Sequence, residues 1–292
     1  MSGFVVLRNL DGRPVSGDLL RGMTESMSYR GPDEQNLRIL DSVGFGHAML
    51  RTSFESLGEC QPLTLDGQVW IVSDARIDAR PDLIALLSDD EDFSKRPDPE
   101  LILRAYLKWG ERCLDHLIGD FSFTIWDSRI KLLFCGRDHF GVKPLYYART
   151  PRTLIISNTI NCIRHHPEVS DALNEQVIGD YLLWGSNEYP ELTFYSDINK
   201  LPAAHKLSYG ESGLGIERYW SFPIQEELRY RRQSDYVEHF SDLLNVAVAD
   251  RLRTDKIAIF LSGGIDSSSI ASAASENLTK NFYSYRFEAF TA

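Results

Sequence analysis

The stretch KIAIFLSGGIDSSSIASAA, residues 256–274, carries the residue types in this chain best suited to chemistry. An apolar run opens into Ser262, Gly263 and Gly264, followed by Asp266 and then Ser267 and Ser268 at what reads as a helix start. Glycines accept positive φ and keep side chains out of the way, so backbone N–H groups can converge on an anion. The first turn of the following helix adds its dipole and free N–H groups, and the serines add hydroxyl donors. A carboxylate suits a phosphate site only when a divalent cation joins it, so Asp266 is the expected Mg²⁺ ligand. A tight turn without a ligand would use the same glycines and serine caps. The full string S-G-G-I-D-S-S behind an apolar strand is more specific than that, although it has neither the third glycine of a dinucleotide fingerprint nor the lysine of a Walker loop. The predicted binding residues are Leu261, Ser262, Gly263, Gly264, Asp266, Ser267 and Ser268.

Such a turn needs a parallel sheet to hold it. The pattern predicts strand 257–261, helix 267–276 and a strand from Phe282 to Phe290, a βαβ unit with helical covering. Ahead of it, SDYVEHFSDLLNVAVADRL puts Tyr236, Phe240, Leu243, Leu244, Ala247 and Val248 on one helical stripe. The first two thirds of the chain are strand-rich. GFVVLRN, VGFGHAMLRT (Val43 to Thr52) and QVWIVSD are β-branched or aromatic runs between turn residues. DFSFTIWD, KLLFCGRD, PLYYART and TLIISNT read as an antiparallel meander with short links. PELILRAYLKWGERCLDHL, introduced by Asp98-Pro99, and NEQVIGDYLLWG are helical. Periodicity fades from Leu201 to Gln233, which predicts a front domain at 1–205, a linker at 206–233 and a second domain from 234.

Composition narrows the classes of partner. Thirty-one basic against 42 acidic residues give a net charge of -11. No Lys/Arg run offsets it, so no nucleic-acid partner is expected. No apolar stretch reaches the roughly 18–20 residues of a membrane helix, and the N-terminus has no signal-peptide pattern. Cys60, Cys113, Cys135 and Cys162 are scattered without CxxC spacing, as expected of reduced cytoplasmic thiols. His47 and His139 have no partner at metal spacing and are expected to be structural, and RHHPE (164–168) is expected to be a solvated loop.

LSGGIDSS resembles the pyrophosphate loop of the ATP pyrophosphatases, which cleave ATP between its α and β phosphates to adenylylate a substrate. Together with MSGF, YRGPDEQ (29–35), GHAMLR, GDFSFTIWD, GRDHFGVKPLYY (136–147) and LPAAHKL, in that order, the chain resembles the asparagine synthetase family over its whole length. The resemblance implies an α+β N-terminal-nucleophile (Ntn) sandwich of antiparallel sheets and helices, the class II glutamine amidotransferase domain. The start of an α/β parallel-sheet nucleotide-binding domain would follow it. It implies ATP and Mg²⁺, a small-molecule or peptide carboxylate substrate with an amine acceptor, and room for a homodimer. It also places Tyr285 on a strand facing the adenine, and makes GRDHFGVKPLYY a shaping segment without chemistry.

The chain departs from the family where glutamine would be hydrolysed. The nucleophilic cysteine that follows Met in the family is Ser2 here, and the arginine that holds the glutamine carboxylate falls on Met49. The segment that supplies an oxyanion-hole Asn, a Gly and an amine-binding Glu corresponds to Asp74, Ala75 and Arg76. An Asp repels a developing oxyanion, and losing one such donor already costs about 10²–10³ in rate. Only Asp98 keeps the pattern of an amine-binding acid. Arg51 lies two residues beyond Met49 and is not expected to replace the lost guanidinium. The glutaminase is thus expected to be inactive, as in the β-lactam and lasso-peptide macrolactam synthetases, where an amine of the substrate itself attacks the adenylylated carboxylate. Two rivals remain: Ser2 as a working nucleophile of an Ntn amidohydrolase, and a scaffold without catalysis. Only 24 residues follow Ser268, fewer than a nucleotide-binding sheet of this class needs, so the chain is expected to be truncated, with little synthetase activity of its own.

Overall fold

Alternation of apolar side chains along the strands builds the front domain from two sheets. The computed structural model describes residues 1–88, 91–222, 227–281 and 284–291. In chain order the front domain runs β1 (Gly3–Asn9), α1 (Gly17–Glu25), β2 (Glu34–Leu40), β3 (Val43–Met49), β4 (Leu63–Thr64), β5 (Val69–Asp78), α2 (Arg80–Leu87), α3 (Asp98–Trp109) and β6 (Ile118–Asp127). It continues with β7 (Leu132–Arg137), β8 (Tyr146–Arg149), β9 (Thr153–Ser157), α4 (Ile160–Arg164), α5 (Glu175–Trp184), β10 (Ile198–Lys200), β11 (His205–Gly210) and β12 (Gly213–Arg218). One antiparallel sheet has the order β10-β8-β9-β1-β3-β2, the other β12-β11-β7-β6-β5-β4.

Strand periodicity of two sends alternate residues to opposite faces. Phe4, Val6, Trp70, Val72, Trp126, Leu133, Leu154 and Ile156 meet between the sheets. Val5, Leu7 and Ile155, one residue out of step, pack with Leu20, Met23, Met27 and Ile163 of α1, its C-terminal turn and α4. Ile71, Phe121, Phe123, Ile125 and Phe134 pack with Leu101, Ile102 and Tyr106 of α3. The result is the helix–sheet–sheet–helix layering expected of an Ntn sandwich. Helix starts follow local chemistry. Ser16 accepts the N–H of Leu19, Asn174 that of Val177, and α3 opens with Asp98, Pro99 and Glu100 in its first turn.

Several boundaries differ from the sequence expectation. The four-strand meander is split: β6 and β7 lie in one sheet, β8 and β9 in the other. Strand β3 ends at Met49, leaving Arg51 outside it. Residues 205–218, expected mostly within a linker, form the β11–β12 hairpin, and β11 pairs with β7 to extend the front domain's sheet. Polar side chains hid this hairpin because it lies at a sheet edge with one face to solvent. His166 of the supposed solvated loop is buried, its Nδ1 accepting the N–H of Glu168.

Behind the front domain come α6 (Gln233–Ala249), β13 (Lys256–Phe260), α7 (Ile265–Asn281) and β14 (Arg286–Phe290). β13 and β14 are parallel, Lys256 opposite Arg286 and Phe260 opposite Phe290. The βαβ unit is present, with α7 longer at both ends than expected and the second strand shorter; Phe282 lies outside the described residues. The core of this unit is small: Val248, Ala273 and Ala274, with Leu244, Leu252 and Phe287 against them. On the α6 stripe Val248 is buried, but Tyr236, Phe240 and Leu243 are exposed.

Candidate functional site

A cavity of about 370 Å³ opens at the end of the front domain where β1 and β5 meet the segment joining α6 to β13. Its walls include Ser2, Asp74, Ala75, Arg76, Asp98 and Arg253. Strand β1 brings Ser2 there, and Asn158 fixes it. The Asn158 amide donates to the Ser2 carbonyl at 2.9 Å and accepts the N–H of Phe4 at 3.0 Å. The sequence therefore grouped Ser2, Asp74, Ala75, Arg76 and Asp98 correctly in space. Met49 is the exception: it is buried, does not line the cavity, and its Sδ lies 3.9 Å from the Ser2 Oγ. The Ser2 hydroxyl also accepts the N–H of Leu50 at 3.1 Å. A thioether offers a carboxylate no charge and no donor. Arg51 does not compensate, because its guanidinium is ion-paired with Glu34.

The charged walls neutralise one another. Asp74, on β5, accepts from the Lys143 ammonium at 2.9 Å and faces the Arg30 guanidinium at 3.7 Å. Arg76 pairs with Asp120 and approaches Asp78 at 3.5 Å. Asp98 receives Arg80 on one oxygen, and on the other Arg253 at 2.6 Å together with the N–H of Ile77 at 3.1 Å. Asp74, Asp98 and Asp120 are thus each already held by a cation of the chain itself. Unpaired buried charges are costly, which is why each replacement is matched by a partner.

Lys143, Arg80 and Arg253 are the site residues that sequence reasoning missed. Lys143 lies in the segment assigned a purely shaping role. That segment does shape: Asp138 accepts the N–H groups of Phe140, Val142 and Lys143, and Arg137 donates to the carbonyls of Lys143 and Gly141. It also carries the Lys143 ammonium into the cavity. No pattern in GRDHFGVKPLYY announces that reach. The structural role expected of His47 has a definite form. Its Nε2 lies 3.1 Å from the carbonyl of Ser73, joining the two sheets, and burial pushes its pKa down to about 4.

Glu59 lines the same cavity. Burial pushes its carboxyl up to about 7, with Asp98 and Asp74 adding to the rise and the Gln61 amide and Arg51 opposing it. A folded value above the ordinary 4.5 means that Glu59 favours the fold when protonated. That contribution is complete below pH 4.5 and disappears as pH rises through about 7. Glu59→Gln should therefore gain stability over wild type by roughly 2 kcal/mol between pH 5 and pH 8. Urea midpoints at the two pH values measure this, and a gap that does not change with pH would contradict it.

The second candidate site is the turn after β13. Leu261 donates its N–H to Phe290 at 2.8 Å, so the chain leaves the sheet at its carboxyl end, where ligands of α/β units bind. Gly263 has φ +76 and faces open space. The Ser267 hydroxyl bridges the Ser262 hydroxyl and the Gly264 carbonyl, both at 3.2 Å, and the Ser268 hydroxyl reaches that carbonyl at 2.9 Å. The first N–H groups of α7 have no intrahelical partner and point into the turn. Asp266 lies in the first turn of α7, and Ser262 to Asp266 are exposed. These features fit a phosphate chain. Among the described residues no cluster of three or more His, Cys, Asp or Glu could hold a metal by itself. One carboxylate is what Mg²⁺ needs when phosphate oxygens and water complete its shell.

Tyr285 does not belong to this site. The parallel register puts it beside the start of β13, at the opposite end of the strands from the turn, and its hydroxyl lies 3.1 Å from that of Thr279. At about 3.3 Å per residue, five residue pairs separate it from the carboxyl end.

Comparison with known proteins shows the family and the fold. Residues 1–220 match the family described as "Glutamine amidotransferase domain", and residues 239–292 match "Asparagine synthase". Asparagine synthetase (glutamine-hydrolyzing) 3 of Bacillus subtilis strain 168 is 29% identical over 88% of this chain and 42% of its own length. Asparagine synthetase (glutamine-hydrolyzing) 2 of the same strain is 31% identical over 94% of this chain and 38% of its own. The chain therefore spans less than half the length of these relatives. Glutamine phosphoribosylpyrophosphate amidotransferase of B. subtilis has a similar fold, with a TM-score of 0.50 at 13% identity, over 99% of this chain and 65% of that one. Among the described residues no helix is long and apolar enough to cross a membrane.

Proposed function

Because this chain belongs to the asparagine synthetase family, matching a glutamine amidotransferase domain over residues 1–220 and asparagine synthase over residues 239–292, we propose that it is the front part of an ATP-dependent amide-forming ligase whose glutaminase half is inert. The observation that carries the proposal is the pairing of Asp74, Arg76 and Asp98 with charges of the chain itself in the front cavity, together with an exposed turn at the carboxyl end of β13. In the front domain the Ser2 hydroxyl is tied to the N–H of Leu50, Met49 supplies nothing for a carboxylate, and Asp98 is saturated. Asp74 remains an acceptor where an oxyanion needs donors. Glutamine loses its carboxylate anchor, its ammonium anchor and its transition-state donor together.

In the second domain, Ser262, Gly263, Gly264 and Ser267 would hold the β and γ phosphates of ATP, and Asp266 would hold Mg²⁺. The ion, when bound, neutralises charge on the pyrophosphate leaving group. The turn's role is positional: the glycine backbone lets donors approach, and the serine bridges keep the turn in register with α7. A carboxylate attacks the α phosphorus, pyrophosphate leaves, and an amine then displaces AMP from the acyl-adenylate to give the amide. With the front half silent, that amine is free ammonia or an amine of the substrate. We place the protein in the cytoplasm, a reading supported by its four free cysteines.

The test uses the full-length protein. Incubation with glutamine should release no ammonia above background, and Ser2→Ala should change nothing. ATP–pyrophosphate exchange should instead appear with a suitable carboxylate. Glutamine or amide hydrolysis that vanishes in Ser2→Ala would replace this proposal with an Ntn amidohydrolase. Absence of exchange across a panel of carboxylates and peptides would favour a scaffold.

A further inference from the structure

The last carboxylate of the front cavity to keep its family pattern is occupied from outside its own domain. Arg253 belongs to neither sheet of the Ntn sandwich; it lies on the six-residue segment between α6 and β13. Its guanidinium reaches Asp98 at 2.6 Å and Glu55 at 3.0 Å, and its own carbonyl accepts the N–H of Phe54 at 3.2 Å. Both Arg253 and Asp98 side chains are about nine-tenths buried, 10% and 6% exposed. Two further contacts come from the same segment. Arg251 bridges Asp120 at 2.6 Å and Asp78 at 3.0 Å, and Asp250 accepts the N–H of Ala79 at 3.1 Å. Among the described residues the small apolar core of the second unit is internal to α6, the segment after it, α7 and β14.

We propose that the former amine subsite has become a guanidinium socket, in which Asp98 and Glu55 bind Arg253 and so fix the synthetase half to the front domain. A guanidinium suits this place because its planar fork serves two carboxylates and a carbonyl at once, and it stays charged when buried. A free ammonium of an amino acid would have to displace it from both acids. The label "amine subsite" rests on the proposed loss of glutaminase, whereas the socket itself rests on the contacts above. The socket also accounts for the retention of Asp98 where its neighbours at positions 49, 74, 75 and 76 differ: Asp98 still binds a cation, now one that the chain supplies. It follows that restoring the five departed residues, without removing Arg253, leaves the subsite filled.

Limited proteolysis of the 292-residue chain tests this without recourse to either enzymatic activity, so its failure is separate from failure of the proposed function. In Arg253→Ala, cleavage within residues 219–232 should accelerate about tenfold or more, because one partner of a buried pair is gone and the halves separate more often. Methylguanidinium at tens of millimolar should slow that cleavage saturably toward the wild-type rate. The same additive should do nothing for Arg253→Ala combined with Asp98→Asn. Near-UV circular dichroism from Trp70 and Trp126, between the sheets, confirms that the front domain of each variant is folded; should Arg253→Ala lose that signal, Arg253→Lys takes its place, with a smaller acceleration expected. Wild-type cleavage rates in the variant, or an acceleration on which methylguanidinium has no effect, would overturn the proposal.

Discussion

Asp266→Ala in the full-length protein is expected to lower carboxylate-dependent ATP–pyrophosphate exchange about 10²–10³-fold while leaving the melting temperature within about 2 °C of wild type. Asp266 is exposed at the start of α7, and among the described residues its side chain makes no hydrogen bond or ion pair. Its removal costs the helix only a favourable end charge, a few tenths of a kcal/mol. Its proposed service is to the cation that neutralises the leaving pyrophosphate, worth several kcal/mol in the transition state. The disparity between the two effects is the diagnostic. A loss of less than about threefold would remove Asp266 from the ATP site, and a melting temperature that falls with the rate would make it structural.

Gly119→Ala should destabilise the front domain by about 3 kcal/mol or more, lowering its melting temperature by roughly 6 °C or more. Gly119 has φ +136, a conformation that side chains rarely adopt, and faces Ile77 across the β5–β6 ladder. A Cβ there would lie 2.2 Å from the carbonyl oxygen of Arg76 and 2.9 Å from the nitrogen of Asp78. Those atoms are backbone in a paired strand, so relief requires β5 and β6 to part. The parting would occur beside Arg76 and Asp120, at the floor of the cavity. Differential scanning calorimetry gives the shift directly; a change under about 2 °C would mean that the ladder yields cheaply at this point.

Some of this protein is local in character and therefore open to reading along the chain. The strand-turn-helix at 256–281 depends on neighbours in sequence: an apolar run, two glycines and a helix start. The place of the turn between β13 and α7 matches expectation. The departures from the family pattern expected at positions 2, 49, 74 and 76, on which the proposed loss of glutaminase rests, are likewise a matter of residue identity. The layering of the front domain follows from period-two alternation, since Phe4 and Val6 face one way and Val5 and Leu7 the other. The β11–β12 hairpin escaped because an edge hairpin exposed on one face has too few apolar residues to show a period.

What the residues alone determined is which side chains stand at positions 2, 49, 74, 75 and 76 and where the glycine turn between strand and helix falls. What only the tertiary structure decided is which charges meet. Lys143 and Asp74 are 69 residues apart, and Arg253 and Asp98 are 155 apart. Parallel register, another long-range property, put Tyr285 at the opposite end of the strands from the glycine turn. Electrostatic pairing depends on distance in space and on burial, and neither is encoded in any short window of sequence.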